Sequence, residues 1–312
     1  MILKHLKNSH SYLMILFIIF CLLFFSTSFF TEKFQNIENI FPFYSVCVLL
    51  CCCVITCFHS IGLNNLVYEK DVIKKPNFVT AFVFLLLNTT FITNHEMILF
   101  SFVLLFFLYY LLSLYKQKQP YSLVFNAGLI ISLLSFYLPN ILVFVVLILI
   151  SSIIFRNINW RIIFLSILPL FVPYFFLWTY QIINGDSLYF ADIEFSLTNL
   201  NFNVILLNFY EMFWYSILSL VSILSIYELF RWMYKKSIRS RESFTIIVFY
   251  LLISILVFLF TKNTDSIILI FTPLSIIIGN FFVYYKKERV GGFIFLLFLF
   301  SSVFYRLSMI NM

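Results

Sequence analysis

From Val204 to Arg241 the chain reads VILLNFYEMFWYSILSLVSILSIYELFRWMYKKSIRSR. The apolar run over 204–229 is long enough to cross a hydrocarbon layer, which takes about 20 residues, and it stops against Arg231, Lys235, Lys236, Arg239 and Arg241. A surface helix of a water-soluble protein is polar over much of its circumference. Here Asn208, Glu211, Tyr215, Ser219 and Ser222 recur at steps of three and four and form one polar stripe on an otherwise mostly apolar run. The stretch therefore reads as a membrane helix running into a basic loop, and Lys and Arg collect on the cytoplasmic side of a bilayer.

The same reading extends over the whole chain. Apolar residues make up 63% of 312 positions and charged residues 11%, against about 25% charged in a soluble domain. No polar stretch has room for a domain outside the membrane, so residues 1–312 form one transmembrane domain with short loops. Windows of spanning length predict segments at 11–30, 43–62, 78–94, 97–115, 122–138, 141–155, 162–180, 204–229, 244–261, 266–285 and 293–310. The expected fold is an all-α polytopic bundle of about eleven spans with the N-terminus in the cytoplasm. That orientation places 17 of the 20 Lys and Arg residues inside and leaves Lys33, Lys262 and Arg306 outside, Arg306 fraying the last span. One missed or invented crossing would scramble every later loop, so agreement at all six inner segments supports both count and direction. The first apolar run, Ser11 to Phe30, exceeds the hydrophobic region of a secretory signal and lacks a small-residue cleavage site around Ser26 to Ser28.

The net charge of +7 belongs to inner loops facing anionic lipid. Arg231, Trp232, Lys235, Lys236, Arg239 and Arg241 read as an anchor to that lipid, their aromatics fitting the interfacial belt. No element on that face is large enough to shape a nucleic-acid site, and Gly-rich phosphate loops, nucleophile elbows and HExxH patterns are absent from the sequence. All six cysteines lie in apolar segments. Cys47, Cys51 and Cys52 share roughly one helical face that could hold a soft metal, but no histidine pair accompanies them, and the reading adopted is packing. No metal site and no cofactor are expected, apart from a divalent cation if the protein is an enzyme.

Ionisable groups inside a membrane are costly and default to functional candidates. Glu211 leads its stripe; about 1.5 Å per residue counted back from Arg231 puts it about 30 Å away, at the outer edge of the hydrocarbon. Asn208, Glu211 and Tyr215 are the candidate substrate-binding set. The outer loops carry Glu32, Glu38, Asp186, Asp192 and Glu194, where Glu32 and Glu38 are candidate catalytic bases and paired carboxylates could hold a divalent cation against a lipid pyrophosphate. His59, and His95 with Glu96, lack partners at ligand spacing. Asn88, Asn126 and Asn280 are expected to bond between helices, and Pro169, Pro173 and Pro273 to kink theirs.

Leu63-Asn64-Asn65-Leu66-Val67 followed by Lys74-Lys75-Pro76-Asn77, then Tyr137-Leu138-Pro139-Asn140, and Pro169 with Pro173-Tyr174, resemble an uncharacterised family of multi-pass inner-membrane proteins of Bacteroidota. That resemblance implies an envelope-associated protein of the inner membrane. Span number, a cytoplasmic N-terminus and acidic residues soon after the first span also resemble membrane glycosyltransferases of the GT-C class. This second likeness implies transfer from a polyprenyl-phosphate-linked sugar on the outer face, with Glu32 or Glu38, in the loop Thr31 to Pro42, activating the acceptor.

Three functions stay open on the sequence: such a transferase; a non-catalytic subunit that positions partners in an envelope membrane complex; and a small-molecule transporter lined at mid-bilayer by Asn126, Asn208, Glu211, Tyr215 and Asn280. The partners implied are the bilayer, anionic lipid at the cytoplasmic face, and a lipid-linked sugar or another membrane protein.

Overall fold

The structure is a computed structural model, and it describes residues 2–7, 11–26, 42–90, 95–185, 187, 189, 209–261 and 264–308. Its elements are α1 (Ile2–Leu6), α2 (Ser11–Ser26), α3 (Pro42–Glu69), α4 (Val79–Thr90), α5 (His95–Ser113), α6 (Tyr121–Ser135), a 3-10 turn (Pro139–Phe144) leading into α7 (Val145–Ile154), α8 (Trp160–Asn184), α9 (Phe209–Met233), α10 (Ile238–Phe260), a second 3-10 turn (Thr264–Ile267), α11 (Ile268–Tyr284) and α12 (Glu288–Ser308). Among the described residues there is no strand. Hydrocarbon offers backbone amides no partner, and a helix satisfies them within itself.

Six stretches, 46–69, 96–113, 160–184, 209–233, 238–260 and 288–308, are long and apolar enough to cross a membrane. Five shorter apolar helices occupy 12–25, 79–88, 121–135, 139–154 and 268–284. The chief departure from the predicted boundaries is α3, which runs on to Glu69 although the apolar window closes at 62. Its last two turns carry Asn64, whose amide donates to the Asn77 carbonyl at 2.6 Å. Asn77 in turn accepts from the Val79 and Thr80 amides at 3.0 and 3.3 Å, satisfying donors that the first turn of α4 leaves open. Polar residues that look like a loop in the sequence thus tie two helix ends together.

The chain divides into two compact units. The first comprises Met1–Phe102, Asn203–Lys236 and Phe271–Met312. In it α2, α3 and α4 pack on one another, α12 packs on α1, α4 and α9, and Thr80 of α4 lies against the Cα of Gly279 on α11 so closely that any side chain there would collide.

The second unit comprises Val103–Phe202 and Ser237–Ile270. Its tightest pair is α6 on α8. A Cβ at Gly128 would sit 2.7 Å from the Pro169 ring, and Ser132 donates to the Leu170 carbonyl at 2.7 Å. Helix α8 continues through Pro169 and Pro173 and ends at Gly185, whose φ of 74° is the left-handed cap that glycine adopts freely. Tyr250 meets Phe107 and Phe144 edge to face at 6.4 and 5.4 Å, and Phe107 tilts against Phe144 at 6.1 Å, within the range aromatic pairs favour.

Candidate functional site

Helix α9 begins at Phe209, so Glu211 occupies its first turn and Tyr215 follows one turn on. The antiparallel helix α12 brings Tyr305 alongside, and its hydroxyl donates to the Glu211 carboxylate. Trp214, fully buried, stacks on the Tyr305 ring at 5.7 Å, while Tyr210 and Phe213 contact Phe304. The next residue, Arg306, is only 4% exposed. With Phe20, Leu23, Phe24, Val303 and Leu307 it lines an almost wholly apolar pocket of about 220 Å³ between α2 and α12. An arginine beside an apolar pocket is suited to a molecule with an anionic head and a hydrocarbon body, because its fork matches phosphate or carboxylate oxygens bidentately.

Glu211 and Tyr215 therefore share a site with Tyr305, whose neighbour along α12 is the buried Arg306. Asn208, Glu32 and Glu38 lie outside the described residues, as do Asp186, Asp192 and Glu194. Of the residues considered for a mid-bilayer lining, Asn126 lies in the second unit and Asn280, Glu211 and Tyr215 in the first. Asn126 is exposed, and Asn280 accepts a 2.6 Å hydrogen bond from Lys236, which follows the far end of α9. Asn88 is 2% exposed, and its amide atoms have no hydrogen-bond partner among the described residues.

The basic segment after α9 is not uniform. Arg231, Lys235 and Arg241 are exposed. Arg239 stacks on Tyr115 at 5.2 Å, and Lys236 turns inward between the rings of Trp232 and Tyr284 at 5.3 and 5.0 Å. Burial there pulls the Lys236 ammonium down to about 7, because a buried charge is poorly solvated. In the second unit Lys116, Lys118 and Arg156 surround an open hollow of about 600 Å³ with Tyr121, Asn157 and Asn159.

Two groups could concern a metal. His59 is fully buried, its Nδ1 3.5 Å from the Ser101 hydroxyl and its ring packed on Phe84 at 4.2 Å. The cysteines meet across helices: Cys21 of α2 and Cys53 of α3 place their sulfurs 3.7 Å apart, and the Cys57 sulfur lies within 4.8 Å of both. Cys47 and Cys51, the face singled out by spacing, stay outside this group, and Cys51 is exposed.

The signature described as "Family of unknown function (DUF6427)" matches residues 1–312. The chain belongs to the DUF6427 family. No curated protein and no solved structure matches it. Membership spans the whole chain, so both units and the α9–α12 site belong to the DUF6427 segment. The family carries no assigned activity, and any function for it rests on the geometry above.

Proposed function

We propose that this DUF6427 protein is a multi-pass protein of the inner membrane that binds a lipid with a phosphorylated head in the outer leaflet, as a polyprenyl-phosphate-dependent transferase of envelope glycan assembly does. The observation that carries this reading is Arg306, buried and lining an apolar pocket, next in sequence to the Tyr305 that bonds Glu211. The six long and five shorter apolar helices among the described residues support eleven crossings. With the N-terminus inside, such a topology would put the start of α9, the end of α12 and the loop bearing Glu32 and Glu38 on one outer face. Phosphate on Arg306 would hold the lipid head there. Glu32 or Glu38 would take the proton from an acceptor hydroxyl, and Glu211 would keep the Tyr305 hydroxyl directed away from the head. The cytoplasmic basic segment would rest on anionic lipid.

Native mass spectrometry of the protein in nanodiscs containing a polyprenyl phosphate tests the reading. The expected result is retention of one lipid, weakened roughly ten- to hundredfold in Arg306→Gln, the range for losing one charge-assisted contact. Glu32→Gln with Glu38→Gln should keep the lipid and lose transfer of its sugar. Equal retention of an uncharged polyprenol by the wild type would remove the phosphate reading. Lipid binding with transfer intact in the double variant would leave a lipid-binding accessory subunit instead of an enzyme.

A further inference from the structure

We propose that Cys21, Cys53 and Cys57 form a binding site for a single soft monovalent metal ion, Cu(I), inside the membrane. The three sulfurs come from two packed helices, with Cys53 and Cys57 one turn apart on α3 and Cys21 opposite on α2. Cys21 stands ten residues from the start of α2 and Cys53 eleven from the start of α3. At about 1.5 Å per residue both are about 15 Å in, half the thickness of the hydrocarbon. Metal–sulfur bonds of about 2.3 Å put three in-plane sulfurs about 4 Å apart. The 3.7 Å separation of Cys21 and Cys53, with Cys57 inside 4.8 Å, needs only side-chain adjustment to reach that arrangement.

Coordination number and softness select the ion. Cu⁺ is satisfied by two or three thiolate sulfurs and displaces the proton of each thiol that ligates it. Zn²⁺ would demand two thiolates and a fourth ligand, and closed zinc sites are four-coordinate. His59 does not supply it, since its ring nitrogens are not among the ligand atoms that lie within 4.8 Å of one another here. Thiol donors without carboxylate or imidazole favour Cu(I) over harder cations. Cys21 and Cys53 are buried, while Cys57 is half-buried. None of these residues lines the Arg306 pocket, so the site stands or falls apart from the lipid reading.

Competition with the coloured Cu(I)–bicinchoninate complex, under anaerobic reducing conditions on the detergent-purified protein, tests the site. The expected result is withdrawal of one copper per chain and a rise in thermal midpoint on loading, with equimolar Zn(II) failing to displace it. Cys53→Ser should weaken uptake at least about tenfold, as loss of a ligand does, while its copper-free melting stays near that of the wild type. Cys57→Ser, at a half-buried position, gives the same comparison should Cys53→Ser fold poorly, and Cys51→Ser should bind as the wild type does. Copper left wholly with bicinchoninate, or equal weakening by Cys51→Ser, would overturn the proposal. So would a Cys21–Cys53 disulfide in the anaerobically purified protein, which would make the pair a redox bond instead.

Discussion

Lys236 and Arg306 are two cations withdrawn from water at opposite ends of the first unit, one beyond α9 and one late in α12. Lys236 is held by Asn280 and two aromatic rings, and its pKa falls from the ordinary 10.5 to about 7. Between those values the unfolded chain carries a proton that the folded chain has shed, so stability rises with pH from about 7 towards 10 and is flat below. Tryptophan-fluorescence melts in detergent should show a midpoint climbing over that window, and Lys236→Met should flatten the climb. A slope unchanged in Lys236→Met would mean another group titrates. Of the other basic-segment residues, exposed Lys235 is expected to act only through lipid charge, so Lys235→Gln should weaken binding to anionic vesicles and leave the melting curve alone.

At the scale of elements, α4 approaches α11 closely through Thr80 and Gly279. Gly279→Ala puts a methyl into the Thr80 side chain and should destabilise the protein by about 1–3 kcal/mol, the usual cost of overpacking. Adding Thr80→Ser, which removes the methyl it meets, should recover part of the lost midpoint. The helices themselves were legible in the sequence because a 20-residue apolar run has few alternatives in lipid. The turn after α3 was less so: Asn64 and Asn65 read as loop, and only Asn77, thirteen residues later, makes them helical. The candidate site was half legible. Periodicity along α9 linked Glu211 to Tyr215, but Tyr305 and Arg306 reach them through a different helix, and a cation near a span end carries no sign of its burial. The cysteines failed for the same reason, since a face drawn on one helix, Cys47 with Cys51 and Cys52, says nothing of Cys21 across the interface.

For the molecule as a whole, the proposed topology of eleven crossings with the N-terminus inside makes one further prediction. A single cysteine at Lys235 in an otherwise cysteine-free variant should be closed to an impermeant thiol reagent in intact cells and open after lysis, whereas one at Ser187 should react from outside. Labelling of position 235 in intact cells would invert the map and move the Arg306 pocket to the cytoplasmic leaflet. The interleaved order of the units sets a schedule as well as a shape. The first unit opens with Met1–Phe102 but lacks α12 and most of α11 until residue 271 has been passed. At about 5–20 residues per second, a ribosome takes on the order of ten to thirty seconds to supply them. Through that interval the early helices wait in the bilayer with their partner faces uncovered, which makes nascent chains stalled before α11 the natural prey of membrane quality-control proteases.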